Sequence, residues 1–179
     1  MTSRITLICA AAPPPGVFPD DQPACARALA ALAPLRTARD CVSAPALRAM
    51  QTARALGLDP RPEPALREAD FGAWAGLSMD RILAVDAAGL AAWTSDPKAA
   101  PHGGESFAQM RRRVAAWLDA RAGAGQSLIA LTHPGPIQAA LLHVLDAPST
   151  SARRVGVRPF SRLHLSHDGG SWTARLGRD

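Results

Sequence analysis

Thr132-His133-Pro134-Gly135-Pro136 joins a short apolar run to a helical pattern and sets an imidazole at the junction. Residues 128–131 (Leu-Ile-Ala-Leu) have no helical period and follow the Gly-rich stretch 123–126, which predicts a strand buried on both faces. Ile137, Ala140, Leu141, Val144 and Leu145 then recur at helical spacing. Pro136 suits a first helical position, and Pro134 keeps His133 extended. His133 is thus expected at the carboxyl end of a core strand, facing the unpaired N–H groups of a helix start. Open α/β sheets bind anions at such places. A loop histidine capping local backbone explains the same residues, and the context alone does not choose between the two.

A second chemically dense stretch spans residues 66–76, with Arg67, Glu68, Asp70, Phe71, Trp74 and two glycines. Glu68 beside Arg67 also reads as an exposed ion pair of little energetic worth. Phe71 and Trp74 read as core filler. His102, before Gly103, is expected on a surface loop, with a place at a pocket mouth as its functional alternative. Arg48 lies on a helical pattern, where it could equally cap a carbonyl elsewhere.

The elements that must position these residues alternate. Ile5-Thr6-Leu7-Ile8 predicts a first strand, ended by Pro13-Pro14-Pro15-Gly16, which continues neither helix nor central strand. A helix is expected over residues 24–33, a strand over 40–43, and a helix opened by Pro45 and stopped near Gly57. Residues 61–64 read as a proline-rich connector. Ser78 caps a short helix over 79–85, and a second helical piece covers 87–93. Phe107, Met110, Val114 and Trp117 mark one face of an amphipathic helix ending near Gly123, with Arg111, Arg112 and Arg113 read as its solvated face. Residues 162–166 and 171–176 alternate apolar and polar about a His-Asp-Gly-Gly turn, a closing hairpin with His164 on its polar side. The expected fold is an α/β three-layer sandwich: a largely parallel central sheet flanked by helices, in a single domain over 1–179.

Composition bounds the function. In 179 residues, 47% are hydrophobic and 20% charged, the range of a globular chain. The net charge is +5, and with Lys98 the only lysine the basicity is nearly all arginine, the better residue for bidentate phosphate contacts. The arginines are scattered and not interleaved with aromatics, so a nucleic-acid partner is not expected, and an anionic small ligand fits better. Cys9, Cys25 and Cys41 have no metal-type spacing and suggest a reducing, cytoplasmic setting without disulfides, a metal site or a cofactor. Residues 1–12 resemble a short secretory leader but read as the first core strand. No stretch reaches transmembrane length. Composition leaves the oligomeric state open.

Four stretches in order resemble motifs of the histidine phosphatase (phosphoglycerate-mutase-like) superfamily. Residues 43–53 (SAPALRAMQTA) are similar to its strand-to-helix segment, and 66–72 with Trp74 and Gly76 to its acid-bearing loop. Gly103-Gly104-Glu105-Ser106 is similar to its helix start, and Thr132-His133 with Gly135 to its second-histidine motif. The resemblance implies a fold in which one histidine carries the phosphoryl group, two arginines and a second histidine hold its oxygens, and a glutamic acid protonates the leaving oxygen. It assigns Arg48 to a phosphate arginine, Glu68 to the acid and His133 to the second histidine. The first motif departs. Where the family carries Arg-His-Gly-Glu-Thr, this chain has Cys9-Ala10-Ala11-Ala12-Pro13, with Ala10 at the nucleophile position and Cys9 at the first phosphate arginine.

Alanine offers no lone pair, so a phosphohistidine is expected to be barred there. The implied protein is a pseudoenzyme, inactive or strongly impaired as a phosphomonoesterase, with an anion pocket that could hold a phosphorylated small molecule or an inorganic anion. One alternative is an active phosphatase using His133 or Cys9. Another is a non-enzymatic interaction module.

Overall fold

The computed structural model describes residues 1–37 and 39–177. Its sheet has six strands in the order β3-β2-β4-β1-β5-β6. These are β1 (Ser3–Cys9), β2 (Asp40–Ser43), β3 (Arg61–Pro62), β4 (Ser127–Thr132), β5 (Arg162–His167) and β6 (Trp172–Gly177). The first four are mutually parallel, and the hairpin β5–β6 adds antiparallel to β1. β1 and β4 lie at the centre, and β1 from Ile5 and β4 from Leu128 are buried and mostly apolar, while Arg4 of β1 is exposed.

The helices are α1 (Ala26–Ala30), α2 (Leu47–Ala55), α3 (Met79–Val85), α4 (Ala87–Ser95), α5 (Phe107–Asp119) and α6 (Pro134–Val144). On one face, Met110, Val114 and Trp117 of α5 and Ile137, Ala140 and Leu141 of α6 pack on Ile5, Leu7, Ala130, Leu163 and Leu165. On the other, Ala53 and Leu56 at the end of α2 cover Ile8, Cys41, Ile129 and Leu131. A separate aromatic cluster joins Phe18, Phe71, Trp74 and Trp93 beyond the strand ends.

Several expectations need correcting. α1 has five residues rather than ten, because nothing in it is buried enough to extend it. The proline-rich connector contains β3, where Pro62 is tolerated because the strand is at the sheet edge. α6 begins at Pro134, not Pro136. Its first turn tolerates both prolines because those N–H groups have no helical acceptor. α5 stops at Asp119, short of Gly123, but opens as its sequence suggests, with Ser106 and Gln109 forming a reciprocal capping box.

Candidate functional site

The end of β1 meets the end of β4. Ala10 N–H donates to the Thr132 carbonyl at 2.7 Å, and Phe160 N–H donates to the Cys9 carbonyl at 2.9 Å. Ala11 N–H donates to Thr52 Oγ1 at 3.1 Å, and that hydroxyl donates to the Arg48 carbonyl at 2.6 Å. The backbone after the first strand is therefore pinned to α2. Ala10 is 2% exposed and carries only a methyl group into this junction.

Three of the expected site residues gather around it. His133 caps α6 in the extended conformation that Pro134 enforces, and is 1% exposed. Burial pushes its pKa down to about 3, helped by the nearby Arg48 charge, so the imidazole is neutral. Arg48, in the first turn of α2, is 3% exposed, and its Nη1 donates to the Asp20 carbonyl at 2.9 Å. Arg48 Nε and His133 Nε2 are both buried without a hydrogen-bond partner among the described residues. Glu68 accepts Ala69 N–H at 3.0 Å on one oxygen and Gly135 N–H at 3.2 Å on the other. Desolvation raises its carboxyl above the usual range, against the pull of those two bonds and of Arg48. The arrangement joins a neutral imidazole, a buried guanidinium and a carboxyl whose proton affinity is raised.

Cys9 belongs to this junction, and its thiol is buried and held protonated. It is 1% exposed, and burial, reinforced by Glu68, pushes its thiol up to about 12. The surface ion pair expected of Glu68 is absent too, since Arg67 reaches Glu105 at 3.5 Å instead. His102 is not on the surface. It is 3% exposed, stacked among Phe71 and Trp74, and its Nδ1 accepts Gly104 N–H at 3.1 Å.

The Glu68 loop is held by contacts that its own sequence does not announce. Arg113 grips Glu105 with both ends of its guanidinium, at 3.0 and 2.5 Å, and donates to the carbonyls of Ala65 and Arg67. Arg111 donates to Ser149 and to the Leu142 carbonyl. Only Arg112 keeps the solvated role expected of the whole run. The loops around Gly72 and Gly104 cross so closely that a Cβ on either would meet a backbone carbonyl, His102 or Asp70 respectively.

The segment after β1 is a strap. Val17 pairs with Ser78, Phe18 inserts into the aromatic cluster, and Asp21 caps α2 by accepting Leu47 N–H at 2.6 Å. With Asp20 on Arg48, this strap closes over the junction. The open cavity lies alongside, about 470 Å³, lined by Glu68, Phe71, Trp93, Met110, Gly135, Gln138 and Arg153 among others. Arg48, His133, Cys9 and Ala10 are not on its wall. Its arginine is already engaged, stacked 4.3 Å from the Trp93 ring and donating to the Trp93 carbonyl. Sequence reasoning missed Phe18, Asp20, Asp21 and Thr52. Only a Pro-rich break and a Thr-Ala pair hinted at them. Among the described residues no three His, Cys, Asp or Glu side chains are placed to share a metal ion.

The family model for the histidine phosphatase superfamily (branch 1) matches residues 22–179. The chain belongs to that superfamily. The matched span begins beyond β1 and most of the strap. The bifunctional protein Rv2228c of Mycobacterium tuberculosis is 38% identical over 130 residues, which cover 69% of this chain but 34% of that protein. The chain thus spans about a third of that relative's length. A structure of mycobacterial glucosyl-3-phosphoglycerate phosphatase with inorganic phosphate is 27% identical, with a TM-score of 0.74 over 98% of this chain and 95% of that one. A histidine-to-alanine mutant of Entamoeba histolytica phosphoserine phosphatase, in complex with phosphoserine, shares the fold at 15% identity (TM-score 0.79; 97% and 96% covered). No helix among the described residues is long and apolar enough to cross a membrane.

Proposed function

We propose that this histidine phosphatase superfamily member, a single domain of the reducing cytoplasm, has lost phosphohistidine chemistry and keeps a remnant site that binds a phosphate-type anion. The observation that carries the reading is Ala10: a buried methyl at the β1–β4 junction, next to the thiol of Cys9. Of the other imidazoles, His102 is in the aromatic cluster, His143 pairs with Asp119, and His164 and His167 are on the hairpin. Arg48 Nε and His133 Nε2, buried without partners, support retained anion binding, since two such nitrogens gain most from an acceptor. Phosphoserine held by a histidine-to-alanine mutant of a protein of this fold also supports it.

Turnover needs a nucleophile, a charge cradle and an acid. Glu68 could hold the proton and Arg48 part of the cradle, but nothing replaces the first. Wild-type protein is expected to hydrolyse p-nitrophenyl phosphate no faster than the Glu68→Gln variant. The combined substitution Cys9→Arg, Ala10→His and Ala11→Gly is expected to create hydrolysis that Glu68→Gln removes again. Fast wild-type turnover sensitive to Glu68→Gln overturns the proposal. A second reading, in which His133 attacks, is favoured by its neutral ring. A phosphoryl group mapped to His133 after brief substrate exposure decides for it.

A further inference from the structure

Five arginines that are far apart in the chain meet on the sheet face away from α5 and α6. Arg4 is on β1, Arg36 and Arg39 precede β2, Arg162 is on β5 and Arg175 on β6. They line two adjoining hollows of about 310 and 350 Å³, which share Thr6, Arg39, His164 and Arg175. The face is open because α1 is five residues long and packs against α2 rather than over β1 and β5. The pairing register gives its length. Ile8 faces Arg162 and Arg4 faces Ser166, so Arg4 and Arg162 are four residues apart along the strands, about 13 Å.

Among the described residues no carboxylate lines either hollow and none of the five arginines has an ion pair. Arg39 alone is tied down, and only by a 3.4 Å contact to Thr6 Oγ1. Uncompensated like charges destabilise a fold through mutual repulsion, so a strip of them points to an anionic partner. Among the described residues no Phe, Trp or Met lines the hollows, so they offer neither the anchors of a protein interface nor platforms for stacking bases. Leu35, Arg36, Thr37 and Arg39 line one side of the first hollow, and a flexible single strand adapts to such a surface more readily than a stiff duplex.

We propose that this face binds the phosphate backbone of a single-stranded nucleic acid, without sequence preference, at a site separate from Arg48 and His133. Guanidinium forks match phosphate oxygens, and the hydroxyls of Ser166 and Thr173 flank them. The partner follows from the gathered arginines, whose scatter in the sequence concealed it.

The test is fluorescence anisotropy of labelled oligo-deoxythymidine against full-length protein, from about 50 to about 200 mM salt. Contacts from roughly three to five arginines give a slope of log affinity on log salt between roughly −2 and −3.5. The double variant Arg39→Ala/Arg175→Ala, both exposed positions, is expected to flatten that slope by about 1.4. Arg112→Ala, on the opposite side of the sheet, is expected to leave it unchanged. The proposal is overturned by absence of binding at the lowest salt or by an unaltered slope in the double variant. Equal affinity for a blunt duplex or for oligoglutamate of matched charge also overturns it.

Discussion

At the residue scale, His133 is an imidazole held out of water. Unfolded, it titrates near 6.5; folded, near 3. Below pH 6.5 the unfolded chain binds a proton that the native chain refuses. Its contribution to stability is therefore complete above 6.5 and falls by about 1.4 kcal/mol per pH unit on acidification. Glu68 acts in the opposite sense above 4.5, where the native state holds the extra proton and stability falls as pH rises. His102, also lowered by burial, adds to His133 with the same sign, so the share of His133 is read as the difference in the pH dependence of urea unfolding between wild type and His133→Gln from pH 6.5 to 5. His133→Gln is expected to remove about 1.4 kcal/mol per pH unit from that slope, and an unchanged slope means that the imidazole is not desolvated in the native protein. Gly135 is the other decisive position. A Cβ there collides with a Glu68 carboxylate oxygen and stands 2.9 Å from the Met110 methyl. Gly135→Ala is expected to destabilise by about 1–3 kcal/mol through overpacking and to expel Glu68 from its two N–H bonds. A variant of native stability would show that the carboxyl is not held there.

At the scale of elements, the strap after β1 stands out, because the chain is least regular there and most tied. Its proline run reads correctly as a break, but its docking is a long-range event: Phe18 finds Phe71, Trp74 and Trp93, and Asp21 finds α2. No local pattern encodes such partners. α5 shows the opposite case, its apolar stripe legible from residues three and four apart, though its capping box of Ser106 and Gln109 went unread. Phe18→Ala removes the ring on which three aromatics converge and is expected to cost about 3–5 kcal/mol. The informative readout is local. Hydrogen exchange at Val17, Phe18 and Leu47 is expected to rise well before exchange at Leu7 and Leu131. Uniform loss of protection would mean that the strap folds as one unit with the sheet.

At the scale of the whole molecule, the alternation of strands and helices was readable because each element carries its own period and its own punctuation. The sheet order was readable only in outline, since edge strand β3 has two residues and no apolar signature. The gathering of Arg48, Glu68 and His133 was legible because motifs name those residues. The site was illegible where burial decides the role, as with His102 and Arg113, whose neighbours come from distant segments. Charge shows the same limit most plainly. Nineteen arginines look scattered along the chain, yet folding sets Arg4, Arg36, Arg39, Arg162 and Arg175 on one face with no opposing carboxylate among the described residues. Their repulsion opposes the native state and is screened over a Debye length of about 10 Å at 0.1 M salt, comparable to the length of the strip. Melting temperature is therefore expected to rise as salt increases from about 10 to about 200 mM, while hydrophobic burial changes little over that range. Arg39→Ala is expected to raise the low-salt melting temperature and to shrink its salt dependence. If that variant melts lower at low salt, the Thr6 contact of Arg39 outweighs the relief of charge, and the five guanidinium groups do not act as one repulsive surface.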